Sequence, residues 1–275
     1  MTDVVSEQMI GEWGERYSNW QRWGPDDQLG TLNFITRERV RTACALPRTG
    51  RAISCALPYE ADGDAALDRS DPIETGWTAL TQVAHDGRTY NDRACGAASD
   101  SIAQARDRVI GRGVLLDLPR YTRLPWLDDG TRITPSDLDL CAESFGVTIE
   151  RGDIVLVQTG MMKRCLQQKS WKGYCGGPAP GLSVHCARWI YEREIAALAT
   201  DTWGVEVRPN ETKDCFQPLH MISLRNTGLL LGEIFALDDL ADACAEDGSY
   251  SFLFVAPPLP ITGAVGSPIN PLAIK

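Results

Sequence analysis

Three histidines, His85, His185 and His220, are the chain's whole supply of imidazole, the side chain best suited to moving protons near neutrality. His85 immediately precedes Asp86-Gly87 in PIETGWTALTQVAHDGRTYND, residues 72–92. That stretch has the rhythm of an active-site loop followed by a turn, and two roles fit His85: pointing into a pocket or capping the turn. Asp201 and Trp203, in ATDTWGVE, fall at the C-terminal end of an apolar run that reads as a strand, where sites of α/β proteins form. Asp201 either orients His220 or closes its own loop. His185, between Val184 and Cys186 on an expected helix, reads as a surface or cap residue. The nine cysteines include no C-x-x-C pair. Cys44, Cys141 and Cys244 read as small apolar core residues, whereas Cys175 and Cys215 sit in loop contexts where a thiol nucleophile would be reachable. No G-x-G-x-x-G, Walker A or G-x-S-x-G motif occurs, so nicotinamide, nucleotide and serine-hydrolase chemistry has no support.

The elements that must position these residues follow from pattern. With 275 residues and 43% hydrophobic content the chain can bury one large core. A formal charge of −10 argues against a nucleic-acid partner. Arg37, Arg39 and Arg41, the densest basic set, read as a solvated helix face. No apolar run approaches the ~20 residues of a membrane span, and the N-terminus lacks a signal pattern, so a cytoplasmic location is expected. Residues 1–35, with Trp13, Trp20 and Trp23, are expected as an arm that wraps over the main domain or a subunit interface. Residues 36–275 are expected as a single α/β domain. There Thr36 caps a helix to about Ala45, residues 60–72 form a polar loop, Ser99–Ile110 forms a helix ended by GRG, and Gly113–Leu118 forms a buried strand. Thr134-Pro135 opens a helix. Asp153–Gly160 is the clearest strand, followed by a helix from Ser183 to about Glu194 and a strand in ALATDTWGV. LLLGEIF and SFLFVAP are further strands around a helix in ALDDLADACA. Strands alternating with helices mean α/β.

Seven stretches, in order, carry a further signal: WGPDDQLGTLNFIT, DGRTYN, GRGVLLD, TPSDLD, RGDIVLVQTG, EREIAALATDTWGVEV and GSPINPLAI. Together, from about Trp20 to Ile274, they resemble the cyclase superfamily that includes kynurenine formamidase and isatin hydrolase. The resemblance implies a swivelling β/β/α fold, with a mixed sheet or partial barrel and flanking helices, assembled as homodimers or homotetramers. The family's hallmark, H-x-G-T-H-x-D-x-x-x-H, binds a divalent metal, zinc or manganese, that activates water. Anchored on the neighbouring W-x-A-L and V-x-x-D-G, the pattern falls on Pro72 through Gln82. Pro72, Gly76 and Gln82 then occupy the histidine positions and Thr78 the aspartate position, while Thr75 keeps the motif residue. Proline and glycine have no side-chain ligand, and threonine and glutamine are weak donors to zinc. No cofactor is therefore expected.

By the same resemblance, His220 in FQPLHMIS and Glu233 in LLGEIF match a late His and Glu that face the metal in relatives. A carboxylate beside a histidine fixes its tautomer and raises its basicity; the alternative is a buried histidine bonded to a structural glutamate. Gln82 is placed to hold a substrate carbonyl from the vacated ligand position. Trp77 offers an aromatic wall or core packing, and Tyr90 a hydrogen-bond donor. The expected catalytic set is His220, Glu233, Gln82 and His85, with Trp77, Thr78, Tyr90, Asp201 and Trp203 contacting substrate. The expected function is a metal-independent cyclase that closes a ring in a small, polyketide-like natural-product intermediate by acid–base catalysis. The alternatives are a metal-dependent amide or lactone hydrolase and a non-catalytic ligand-binding relative. The expected partner is a small-molecule substrate, with neither nucleic acid nor membrane involved.

Overall fold

A computed structural model describes residues 5–58, 79–81 and 101–275. Trp77, Thr78, Gln82, His85 and Tyr90, with the loop expected at 60–72, lie outside the described residues. The described strands are β1 (Ala52–Ser54), β2 (Ala79–Thr81), β3 (Ile110–Asp117), β4 (Arg132–Ile133), β5 (Ile154–Gln158), β6 (Gly181–Leu182), β7 (Ala197–Thr200), β8 (Leu230–Glu233), β9 (Ser251–Val255), β10 (Gly266–Pro268) and β11 (Leu272–Ile274). The helices are α1 (Glu7–Arg16), α2 (Arg37–Ala43), α3 (Leu118–Thr122), α4 (Pro135–Ser144), α5 (Met161–Gln168), α6 (Cys186–Arg193), α7 (Pro218–His220) and α8 (Asp238–Asp247).

Among the described residues nine strands form one mixed sheet, ordered β1-β11-β9-β3-β5-β7-β8-β2-β10, and β4 pairs with β6 apart from it. The centre, β3-β5-β7-β8, is parallel, and both flanks are antiparallel. Parallel strands need cover on both faces, and the sequence supplies it. Val155 and Val157 enter one apolar core with Val114, Leu116 and Leu198. Ile154 and Leu156, the alternate positions, enter a second core with Leu115 and Phe254. This is the mixed α/β architecture expected, with helices flanking the sheet.

Local chemistry explains most boundaries. Thr134 accepts from the Asp137 amide at 3.3 Å, and the Asp137 carboxylate accepts from the Thr134 amide at 2.8 Å, a reciprocal cap that starts α4. The helix expected over Ser99–Ile110 is a correction: only a 3₁₀ turn, Ile102–Ala105, forms there. Strand β3 then begins at Ile110 and runs through the glycines that read as a helix stop. Gly113 is a packing position, since a Cβ there would stand 2.3 Å from the Phe252 ring. Cys44, expected in the core, is exposed, whereas Cys141 and Cys244 are buried. Arg39, expected on a solvated face, reaches back to the buried Asp153 at 3.0 Å.

The N-terminal segment grips one element in particular. The Asn19 amide donates to the Asn226 carbonyl at 2.9 Å, Trp20 Nε1 to the Arg225 carbonyl at 2.7 Å, and Thr227 Oγ1 to the Tyr17 carbonyl at 2.9 Å. Residues Met221–Thr227 form a π helix continuing directly from α7, so the N-terminal segment is bonded to the helix that follows His220. No helix among the described residues is long and apolar enough to cross a membrane.

Candidate active site

Three segments converge on His220. The loop after β7 brings Glu206, whose neighbours Val205 and Val207 are buried in the protein interior. Residues Pro218–His220 bring the imidazole, and Glu233 is the last residue of β8. Nδ1 of His220 lies 2.7 Å from Glu206 Oε1, and Nε2 lies 3.1 Å from Glu233 Oε1. Glu206 also accepts from the backbone amides of His220 and Leu219, at 3.1 and 3.2 Å, and from Asn210 Nδ2 at 3.4 Å. Exposure grades outward across the trio: the side chains of Glu206, His220 and Glu233 are 2%, 12% and 20% exposed.

Carboxylates only accept, so a ring with one at each nitrogen is best served when both nitrogens carry protons. Burial by itself pushes the imidazole down. The hydrogen bonds and charges of Glu206 and Glu233 outweigh it, and His220 is raised to about 9. The geometry and the raised pKa both favour a protonated ring at neutral pH.

The backbone around the trio is strained. Val205 (φ 57°), Gln217 (φ 52°) and Ile234 (φ 61°) all adopt left-handed conformations. Each stands beside or close before a member of the trio, and two are β-branched residues that rarely go there. Such positions cost about 1–3 kcal/mol apiece and cluster at functional sites.

Of the expected site residues, the structure brings His220 and Glu233 together. Asp201 is elsewhere engaged: its carboxylate accepts from the Thr159 amide (2.7 Å), the Thr159 hydroxyl (2.9 Å) and the Gly160 amide (2.8 Å). It therefore ties the end of β5 to the end of β7, and no hydrogen bond joins it to His220. Gly160 sits at φ +80°, and a Cβ there would lie 2.8 Å from Trp126, which explains glycine at the joint. Trp203 is half-buried against an apolar cluster that includes Met161, Trp171, Tyr174 and Ile234, the last adjoining Glu233. His185 is exposed on the N-terminal side of α6, with its ring 5.1 Å from that of Trp13. Cys215 has its thiol pushed up by burial and nearby Glu206, the opposite of activation. Gln82, His85, Trp77, Thr78 and Tyr90 lie outside the described residues, but Ala79, which directly follows Thr78, pairs with Glu233 across β2 and β8.

Glu206 escaped the sequence reading. Its signal was there in W-G-V-E-V: an acid between two valines bound for the interior must be paired.

The family's metal does not fit this chain's donors. Pro72 and Gly76 stand at two histidine positions and offer no ligand atom. Both ring nitrogens of His220 already face carboxylates. No group of three or more His, Cys, Asp or Glu side chains among the described residues is arranged to hold a metal.

Comparison with known proteins places this scaffold. The family model described as "Putative cyclase" matches residues 61–207, more than half of the chain. The chain belongs to that cyclase family. A crystal structure described as a novel cyclase is 29% identical, with a TM-score of 0.80, over 94% of this chain and 99% of that one. Isatin hydrolase A from Ralstonia solanacearum shares the fold at 17% identity and a TM-score of 0.59, over 82% of this chain and 92% of its own. Isatin hydrolase A from Labrenzia aggregata, bound to benzyl benzoate, does so at 18% and 0.53, over 81% and 93%. No curated protein sequence matches the chain.

Proposed function

We propose that this cyclase-family enzyme closes a ring in a small, largely apolar, polyketide-like intermediate by proton transfer, without metal-activated water. The observation that carries the reading is the imidazole ring of His220 held between two carboxylates, in a chain whose metal-motif positions hold Pro72, Gly76, Thr78 and Gln82.

Glu233, the outermost member of the trio, is the proton carrier. Its carboxylate takes a proton from the carbon next to a substrate carbonyl. The resulting enolate carbon bonds to a second carbonyl carbon, and the proton on Glu233 passes to the new alkoxide oxygen. One C–H bond and one carbonyl π bond are lost, one C–C and one O–H bond are gained, and the enzyme is returned unchanged. His220 stays cationic throughout and steadies Glu233 and the developing oxyanion.

The test is turnover of a panel of linear poly-carbonyl compounds alongside isatin and an N-formyl arylamine, with metal analysis and chelation of the purified protein. Ring closure that survives chelation supports the proposal. A stoichiometric transition metal required for turnover, with hydrolysis of the amide or lactam, overturns it in favour of the hydrolase reading.

A further inference from the structure

The two carboxylates that flank His220 are not equivalent. Glu206 is almost fully buried and makes four contacts: the ring at Nδ1, the backbone amides of His220 and Leu219, and the Asn210 side chain. Asn210 is itself tied, donating to the Val207 carbonyl at 3.0 Å and accepting from the Gln217 amide at 3.2 Å. Glu206 thus grips the main chain as well as the ring, and neither end of its bond to Nδ1 can move alone. Glu233 makes one side-chain hydrogen bond among the described residues, to Nε2 at 3.1 Å, and stands at the exposed end of the trio. No other charged side chain among the described residues hydrogen-bonds to the ring.

We propose that Glu206 is the positioning residue of this site: it fixes the ring of His220 through Nδ1, so that Nε2 is always turned toward Glu233. The mechanical reason is bond count, since a group held at four points keeps one geometry while a group held at one point can exchange partners. The raised affinity of His220 for its proton fits this division, because Glu206 provides the shorter, drier contact. The inference rests on the ring-closing reading only in naming substrate as the group that Glu233 meets.

With only three histidines in the chain, ring signals can be followed by NMR in the full-length protein without substrate, with His220→Gln identifying the resonance. In the unaltered protein the ring of His220 is expected to lose its proton with a midpoint of about 9. In Glu206→Gln the midpoint is expected to fall by ~1 unit or more and the neutral ring to lose its single tautomer. In Glu233→Gln the midpoint falls less and the tautomer is kept. Glu206→Asp, which keeps the charge at shorter reach, is expected to fall between the unaltered protein and Glu206→Gln, and serves where the glutamine variant does not fold. A midpoint and tautomer unchanged in the folded Glu206 variants, or a larger fall in Glu233→Gln, overturns the proposal. Because no substrate is present, failure here is distinct from failure to close a ring.

Discussion

Asp201 and Glu206 stand in the same loop after β7, at 1% and 2% exposure, and each carboxylate is surrounded by donors. The donors differ in kind. Asp201 is held by two backbone amides and a threonine hydroxyl, none of which loses a proton in the ordinary pH range. Glu206 is held by two backbone amides, an amide side chain and an imidazole. The first arrangement is a joint between strands. The second is a joint whose far end is a titratable ring that leads outward to Glu233. Burial of a carboxylate therefore says little about its task; the titratability of its partner, and what that partner touches next, decide it.

The largest effect that would break this contrast is on turnover. Glu233→Gln is expected to lower kcat by ~10²–10⁴-fold with little change in unfolding midpoint; near-normal turnover would make the His220 knot as structural as the Asp201 knot. Next, Asp201→Ala strands two backbone donors and a hydroxyl, and should cost on the order of 3 kcal/mol in denaturant unfolding. A loss under ~1 kcal/mol would show that the strands do not depend on the joint.

The pH dependence separates the two further. His220 is raised to about 9 from an unperturbed value of about 6.5. Its folded pKa exceeds its unfolded one, so its contribution is fully present below about pH 6.5 and is lost as pH rises through about 9. Asp201, raised by burial to about 6 even though the Thr159 and Gly160 donors oppose that, has the same sign in a lower window: its contribution is present below about pH 4 and lost as pH rises through about 6. Unfolding measured against pH should show His220→Gln flattening the upper decline, by on the order of 2 kcal/mol, and Asp201→Asn flattening the lower one. A single shared window would erase the distinction. The smallest effect is expected from Thr159→Val, which removes one hydroxyl bond to Asp201 and should cost about 1 kcal/mol by the same unfolding measurement.

Much of this molecule was legible residue by residue. Asp153–Gly160 read as the clearest strand because four apolar residues run in it without interruption, and the strand forms over Ile154–Gln158; Thr134-Pro135 read as a helix start because cap and φ-restricted proline coincide. Gly111 and Gly113 misled, because local pattern makes glycine a stop, whereas Gly113 is shaped by an aromatic ring on a strand distant in sequence. His220 and Glu233 were found through resemblance to relatives. Glu206 was not, since nothing in W-G-V-E-V says which donor will meet the acid.

What the sequence determined by itself is what depends on near neighbours: strand and helix patterns, the absence of ligand atoms at Pro72 and Gly76, and the scarcity of histidine. Only the tertiary structure decided that His220 carries a carboxylate on each nitrogen, that Asp201 turns instead to Thr159 and Gly160, and that the N-terminal arm is bonded to the π helix beginning at Met221. The reason is physical. A side chain's charge state and partner are set by groups brought within hydrogen-bond distance from separate segments, and those distances exist only once the sheet has assembled.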